Sequence, residues 1–401
     1  MRLRIEKSTA NGSICAPPSK SELHRAILCA ALSGGVTKMT GFSPSEDIYA
    51  TLRAIKAIGA DFSASDNVLS VTGTGGSISC PAETIDCGEC GSTLRFIIPI
   101  IAAGTGGILT GSPKLMSRPL SVYEAVFAEK GIDFSLNDGI LTVGGGLTAG
   151  NYIIPGDVSS QFVSGLLFAL PLLPGNSRII VTGRIESRPY IDMTIKMLER
   201  FGKNVSEEHP GTFTIKGSQI YKSPGFFHVP GDWSNAAALL AFNEIGGCLE
   251  ISGLDTGSTQ GDKVCPELFE RLRGEAPQID ISDCPDLGPV LMALAAAENG
   301  ALLTGTSRLR LKESDRGEAM KEELKAFGVP VEIGENTIRV CSGLKAPARP
   351  VDSHNDHRIA MALSLLLSIT GGELTDAQAI NKSYPGFYDR LRDAGVLIYE
   401  A

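Results

Sequence analysis

Two sequence markers recur along this chain with one shared period, and such an internal repeat strongly limits the folds it can adopt. The first marker is an amphipathic segment that ends in glycine and precedes short strand-like runs. In Asp47–Gly59, for example, Ile48, Leu52, Ile55 and Ile58 lie at helical spacing. The second marker is a polar cluster that runs directly into an apolar segment. Both markers occur six times, at intervals of roughly 70 residues with one shorter interval.

The amphipathic segments are Asp47–Gly59, Ser121–Gly131, Tyr190–Gly202, Glu267–Gly274, Glu318–Gly328 and Tyr388–Gly395. The polar clusters begin near Lys20, Ser92, Ser160, Asp232, Asp286 and Asp356. Each repeat is predicted to contain an apolar helix, a strand, an amphipathic helix and a hairpin. Because an apolar helix must be buried, we expect these helices inside and the sheets outside.

The length of 401 residues favours two domains over one. Six repeats in two domains predict three repeats per lobe. The fourth repeat is the shorter one, so we expect the lobe boundary near it, around Pro224–Pro230. A solenoid is the alternative, although solenoid repeats are usually about 20–50 residues long.

The composition narrows the classes of function. The net charge of −9 argues against nucleic-acid binding, which favours a basic stripe. The longest apolar stretches, Phe96–Leu109, Val163–Pro174 and Ile359–Ile369, are shorter than the ~18–20 residues of a membrane span. No signal peptide is visible, and the nine scattered cysteines favour reduced thiols, so a cytoplasmic protein is expected.

Metal and cofactor motifs are weak. Cys87-Gly-Glu-Cys90 has the spacing of half a zinc site, but no second pair follows at a suitable distance. No Walker loop and no GxGxxG fingerprint occurs. We therefore expect neither a metal nor a cofactor.

The starts of the apolar helices carry groups that bind anions. Ser19 and Glu22 form a capping box, which places Lys20 and Ser21 in the first helical turn and Arg25 one turn later. Free backbone amides, the helix dipole, a hydroxyl and two cations together predict an anion site. The alternative is a capped helix with solvated cations, but similar clusters begin the second, third and sixth apolar helices.

The ordered motifs resemble the 5-enolpyruvylshikimate-3-phosphate synthases, a branch of the enolpyruvyl transferase family. The motifs that carry the resemblance are 17-PPSKSELHR-25, 88-GECGSTLR-95, 157-DVSSQF-162, 188-RPYID-192, 311-LKESDR-316, 355-NDHR-358 and 382-KSYPGFY-388. The resemblance implies a two-domain inside-out α/β barrel, with three βαβαββ units per lobe, buried helices and outer sheets. The expected lobes are 18–229, and 1–17 with 230–401.

The family resemblance also implies an activity, the shikimate-pathway transfer of enolpyruvyl from phosphoenolpyruvate to the 5-hydroxyl of shikimate 3-phosphate, with release of phosphate. The reaction proceeds by addition and elimination through a tetrahedral intermediate. Two small-molecule substrates, a monomer and the inhibitor glyphosate belong to this expectation. The implied shikimate 3-phosphate ligands are Lys20, Ser21, Arg25, Ser159, Ser160, Gln161, Ser187, Tyr190, Asp286 and Lys312. The implied phosphoenolpyruvate ligands are Lys20, Gly91, Arg118, Gln161, Arg316, His357, Arg358 and Lys382.

The implied proton-transfer groups are Asp286 and Glu313, with Lys20 assisting the departing phosphate, and Ser92 and Arg95 in supporting positions. Carboxylates with separated pKa values suit acid and base steps. Two alternatives stay open. UDP-N-acetylglucosamine enolpyruvyl transferases have Lys-Asn in place of Lys20-Ser21 and a reactive loop cysteine, which 111-GSPKLMS-117 lacks. A non-catalytic repeat protein that only binds an anion would not need both carboxylates.

Overall fold

The computed structural model describes residues 1–79 and 83–401, so Cys80 lies outside the described residues. The helices are α1 (Lys20–Leu32), α2 (Glu46–Ala57), α3 (Gly91–Ala103), α4 (Pro113–Met116), α5 (Ser121–Glu129), α6 (Ser160–Ala169), α7 (Arg188–Arg200), α8 (Trp233–Glu244), α9 (Cys265–Leu272), α10 (Gly288–Ala297), α11 (Arg316–Ala326), α12 (His357–Thr370) and α13 (Phe387–Asp393).

The strands are β1 (Leu3–Ile5), β2 (Asn11–Cys15), β3 (Gly34–Thr40), β4 (Asp61–Ser65), β5 (Val68–Thr74), β6 (Ile85–Asp86), β7 (Gly106–Thr110), β8 (Phe134–Asn137), β9 (Ile140–Gly144), β10 (Asn151–Pro155), β11 (Ser177–Thr182), β12 (Val205–His209), β13 (Thr212–Ile215), β14 (Phe226–His228), β15 (Cys248–Ser252), β16 (Gln278–Asp280), β17 (Ala301–Thr304), β18 (Val331–Ile333), β19 (Thr337–Val340), β20 (Val351–Asp352), β21 (Gly372–Thr375) and β22 (Ile398–Glu400).

The chain divides into two compact units, residues 18–230 and residues 1–17 with 231–401. Each unit has its own hydrophobic core. The predicted α/β class is confirmed. The six amphipathic segments form α2, α5, α7, α9, α11 and α13, as their spacing predicts.

Residues 18–230 contain three four-stranded sheets with one shared topology, in the order β14-β3-β5-β4, β6-β7-β9-β8 and β10-β11-β13-β12. In each sheet the first two strands pair in parallel and the last two form an antiparallel hairpin. A parallel pair needs a crossover, and the apolar helices α3 and α6 supply it between β6 and β7 and between β10 and β11. The first repeat takes its outer strand from β14, at the end of the unit.

The second unit departs from the predicted pattern in its first repeat. This repeat, the fourth along the chain, has a sheet of only two strands, β15 and β2, and no hairpin follows α9 among the described residues. The chain passes from Leu272 to β16 at Gln278, which leaves no room for a hairpin and accounts for the short interval. The other two sheets have four strands each, and β1 completes β20-β21-β1-β22.

The apolar helices are buried on nearly all sides. In α3 every residue from Thr93 to Ala102 is buried, and in α12 every residue from His357 to Ser368 is buried. Their polar N-terminal turns, which carry candidate site residues, are therefore anchored in the core of each unit. Over residues 1–79 and 83–401, we find no helix with the length and apolar character that crossing a membrane requires.

Candidate active site

The first turn of α1 is fixed by the predicted cap. The Ser19 hydroxyl accepts a hydrogen bond from the Glu22 amide at 3.4 Å. Lys20 then directs its ammonium to the Asp47 carboxylate in the first turn of α2, with 2.7 Å between Nζ and Oδ2. Both side chains are mostly buried, at 16% and 11% exposure, so this ion pair is shielded from solvent.

Arg25 lies one turn along α1, where its guanidinium is buried and each of its three nitrogens donates a hydrogen bond. Nε donates to Oγ1 of Thr194 at 2.8 Å, and Nη1 donates to the Ser21 carbonyl at 2.7 Å. Nη2 donates to the Tyr190 carbonyl at 3.1 Å, and the guanidinium lies over the Phe96 ring. Burial lowers the pKa of Arg25 to about 10, so the group still carries its charge at neutral pH. These contacts bring Ser21, Arg25 and Tyr190 together.

A second group of predicted residues surrounds the start of α3. Nη1 of Arg95 donates to Oε1 of Gln161 at 2.8 Å, and Nε2 of Gln161 donates to the Ser92 hydroxyl at 3.0 Å. A methyl group at Gly91 would lie 2.9 Å from Nη1 of Arg118 and 3.0 Å from Nη1 of Arg95. Gly91 thus leaves space that lets two guanidinium groups lie against the helix start.

Arg118 and three hydroxyls complete the predicted set in this unit. Nε of Arg118 is buried and, in the part of the chain that the structure describes, has no hydrogen-bond partner. Ser159 caps α6 by accepting from the Gln161 amide at 3.3 Å, and Ser160 is the first, buried residue of that helix. Ser187 precedes α7 with φ 55° and ψ 40°, a left-handed conformation that costs energy for a residue with a Cβ.

In residues 231–401, Arg316 is the centre of an ionic network that includes three other predicted residues, Asp286, Lys312 and Glu313. The guanidinium is 1% exposed and donates to Oδ1 of Asp286 at 2.8 Å and to Oε2 of Glu313 at 2.9 Å. It also donates from Nε to Oδ2 of Asp356 at 2.8 Å. Nζ of Lys312 reaches the same Asp286 oxygen at 2.9 Å. The Arg316 donors are largely occupied by carboxylates, so this residue orients both predicted acid–base groups.

This network keeps Asp286 ionised. Burial opposes ionisation, but the positive charges of Lys312, Arg316 and Arg358 outweigh it and hold the pKa of Asp286 well below its ordinary value. Burial also lowers the pKa of Lys312, while the charge of Asp286 opposes that change. At neutral pH Asp286 is therefore a hydrogen-bond and proton acceptor, and in the state described here it holds no proton to donate.

The remaining predicted residues lie at the start of α12 and in the 3-10 turn Ala377–Lys382. Asp356 caps α12 by accepting from the Arg358 amide at 2.9 Å. Nη1 of Arg358 donates to Oδ1 of Asn235 at 3.0 Å, and Nζ of Lys382 donates to the Asn355 carbonyl at 2.6 Å. His357 is 2% exposed at the same helix start.

The structure adds residues that were not among the predicted site residues. Asp47 pairs with Lys20, and Asp356 pairs with Arg316. Asp262 is 1% exposed and accepts a hydrogen bond from the Ser234 hydroxyl. Burial, aided by the charge of Asp286, raises the pKa of Asp262 to about 7. Asp262 belongs to none of the sequence motifs, so its burial beside the site could be recognised only from the fold.

Two separate helix-start clusters, one in each unit, thus carry the cations, hydroxyls and carboxylates of an enzyme that handles anionic substrates. The family model for EPSP synthase (3-phosphoshikimate 1-carboxyvinyltransferase) matches residues 5–275 and 269–391. This chain belongs to the EPSP synthase family.

Curated relatives agree with this family, and a solved structure agrees with the fold. A 3-phosphoshikimate 1-carboxyvinyltransferase of Clostridium kluyveri is 39% identical, covering 98% of this chain and 96% of the relative. One of Clostridium beijerinckii is 37% identical, covering 98% and 97%. The structure of EPSP synthase from Acinetobacter baumannii covers 99% of both chains with a TM-score of 0.80 and 23% identity, which supports the fold.

Proposed function

We propose that this chain transfers the enolpyruvyl group of phosphoenolpyruvate to the 5-hydroxyl of shikimate 3-phosphate. Membership of the EPSP synthase family over nearly the whole chain carries this proposal. The products are 5-enolpyruvylshikimate 3-phosphate and phosphate. A cytoplasmic location and a monomeric state belong to the same proposal.

The hydroxyl-rich helix starts suit shikimate 3-phosphate. In residues 18–230 we assign its phosphate to Ser159, Ser160 and Ser187, because hydroxyls and free amides at helix starts bind phosphate well. The ring and carboxylate are assigned to a second set, Lys20, Ser21, Arg25, Gln161 and Tyr190. In residues 231–401, Asp286 and Lys312 are assigned to the same substrate.

The guanidinium-rich positions suit phosphoenolpyruvate. Each substrate carries a phosphate and a carboxylate, and these charges repel one another unless fixed cations lie beside them. Arginine binds either group through two parallel hydrogen bonds, and lysine supplies a compact charge. We assign phosphoenolpyruvate to Lys20, Gly91, Arg118 and Gln161 in the first unit, and to Arg316, His357, Arg358 and Lys382 in the second. To bind the substrate, Arg316 must exchange its hydrogen bond to Asp286 or Glu313 for one to phosphoenolpyruvate. Ser92 and Arg95 support Gln161 through the hydrogen bonds described above.

The chemistry proceeds in two balanced steps. In addition, the 5-hydroxyl oxygen bonds to C2 of phosphoenolpyruvate, the hydroxyl proton leaves, and C3 gains a proton to become a methyl group. In elimination, C3 loses a proton and the bond between C2 and the phosphate oxygen breaks. Asp286 is ionised and suits the acceptor role, Glu313 suits the exchange of protons at C3, and Lys20 suits the departing phosphate. Substrate anions that offset Lys312 and Arg316 would raise the pKa of Asp286 and make it a stronger base.

An assay of phosphate release separates this activity from its two alternatives. Phosphoenolpyruvate is supplied with either shikimate 3-phosphate or UDP-N-acetylglucosamine, and released phosphate is measured. We expect release with shikimate 3-phosphate alone. Release only with UDP-N-acetylglucosamine would indicate the sister activity, and binding without release in either case would indicate a non-catalytic anion-binding protein.

A further inference from the structure

His24, Asp47 and Cys90 form a buried cluster beneath the proposed substrate contacts of residues 18–230. Their candidate ligand atoms, an imidazole nitrogen, a carboxylate oxygen and a sulfur, all lie within 4.8 Å of one another. The three residues are 1%, 8% and 2% exposed. Imidazole, thiolate and carboxylate are the three protein ligands that zinc uses.

The imidazole of His24 is oriented as a metal ligand would be. Its Nδ1 lies 2.7 Å from the Thr51 hydroxyl, which in turn lies 2.6 Å from the Thr93 hydroxyl. A ligating histidine ordinarily donates its second N–H to such an acceptor, which leaves the other nitrogen free to bind. That nitrogen, Nε2, faces Sγ of Cys90 at 3.8 Å. Zinc bonds of about 2.0 Å to nitrogen and 2.3 Å to sulfur at a tetrahedral angle place these atoms about 3.5 Å apart.

A metal ion that binds here must displace the groups that now neutralise its ligands, namely a proton and an ammonium group. Burial, together with Lys20 and Arg25, holds the pKa of His24 well below its ordinary value, so the imidazole is neutral and its lone pair is available. Burial raises the pKa of Cys90 to about 12, so the thiol is protonated before a metal binds. Asp47 already pairs with the Lys20 ammonium. A divalent cation must therefore release the Cys90 proton and separate Lys20 from Asp47.

We propose that His24, Asp47 and Cys90 form a binding site for a thiophilic divalent cation of the zinc type. The Cys90 S–H bond breaks, its proton goes to solvent, and the thiolate, the His24 nitrogen and an Asp47 oxygen bind the ion. A water molecule or a substrate anion takes the fourth position. The ion competes with the Lys20–Asp47 ion pair, so its binding releases the Lys20 ammonium from that carboxylate.

Cobalt(II) provides a spectroscopic probe for this site, because a thiolate bound to cobalt gives a charge-transfer absorption in the near ultraviolet. The purified full-length chain, first freed of metal by a chelator, is titrated with cobalt and then with zinc. The test variant is Cys90→Ser, which keeps a favourable cap for α3, where Sγ now accepts from the Thr93 amide at 3.4 Å, but removes the sulfur. The matched control is Cys87→Ser, which removes the other buried thiol of the same segment, outside the cluster.

We expect one cobalt ion per chain with a charge-transfer band, release of one proton, and displacement by zinc. The control Cys87→Ser should keep this binding, whereas Cys90→Ser should lose the band and bind about 100-fold more weakly or worse. Absence of the band in the unaltered chain, its persistence in Cys90→Ser, or its equal loss in Cys87→Ser would overturn the proposal. If Cys90→Ser does not fold, as judged by circular dichroism, His24→Gln takes its place with the same expected loss. Binding is measured without turnover, so a failure here is distinct from a failure of the proposed function.

Discussion

Replacing Gly91 by alanine tests how closely the arginines pack against the start of α3. The added Cβ would lie 2.9 Å from Nη1 of Arg118 and 3.0 Å from Nη1 of Arg95, whereas ordinary contacts begin at 3.4 Å. The φ angle of Gly91 lies outside the left-handed region, so the backbone accepts alanine. The guanidinium of Arg118 must therefore retreat by about 0.5 Å, and we expect the charge-assisted hydrogen bond proposed between it and phosphoenolpyruvate to weaken by about 1–2 kcal/mol.

This loss corresponds to a rise of about 5- to 30-fold in KM for phosphoenolpyruvate. The assay is steady-state phosphate release with shikimate 3-phosphate saturating and phosphoenolpyruvate varied. Glyphosate inhibition is measured in parallel, and we expect its inhibition constant to rise as well. Gly34→Ala is the control, because its Cβ meets nothing closer than the Gly75 Cα at 4.0 Å.

Unchanged KM and inhibition constants in Gly91→Ala would refute the assignment of phosphoenolpyruvate to this helix start. An equal change in Gly34→Ala would show that the effect is not local. The free energy of unfolding of Gly91→Ala, measured in urea, should match that of the unaltered chain to within about 1 kcal/mol, since only the ends of flexible side chains must move.

Three further substitutions test other parts of the site. Glu313→Gln should lower kcat by about 100-fold or more while KM values change far less, and an unaltered kcat would exclude a proton-transfer role. Arg25→Lys should lower the free energy of unfolding by about 2–3 kcal/mol in urea, because a lysine cannot reproduce the three directed hydrogen bonds, and a neutral result would contradict the described geometry. The pKa of Asp262 is raised to about 7, so its contribution to stability is present below about pH 4 and disappears as the pH rises through 7. Asp262→Asn should therefore gain stability relative to the unaltered chain between pH 4 and 8, by at most about 4 kcal/mol, and a pH-independent difference would count against this.

The local elements were predictable because they depend on neighbouring residues. The capping pair Ser19 and Glu22 predicts where α1 begins, and helical spacing in Asp47–Gly59 predicts α2. The repeat period predicts the same elements along the rest of the chain. It also identifies the fourth repeat as short, between Gly274 and Gly328.

Long-range pairing was not predictable from the sequence pattern. Among the residues that the structure describes, the fourth repeat has no hairpin, and β15 pairs in parallel with β2 from the start of the chain, a partner that local spacing cannot indicate. Likewise, Arg316 appears in the sequence as one cation of a motif, but the fold surrounds it with Asp286, Glu313 and Asp356. The approach of His24 to Cys90 depends on how α1 and α3 pack, which their separate helical patterns do not specify.

Transfer by addition and elimination is tested most directly by following phosphoenolpyruvate labelled with carbon-13 at C2, together with shikimate 3-phosphate, by NMR in deuterated water. We predict a new enol-ether carbon signal whose intensity grows in proportion to the phosphate released. The adjacent methylene group should contain deuterium, since C3 passes through a methyl group. An unchanged phosphoenolpyruvate signal, or a product without deuterium, would contradict this account.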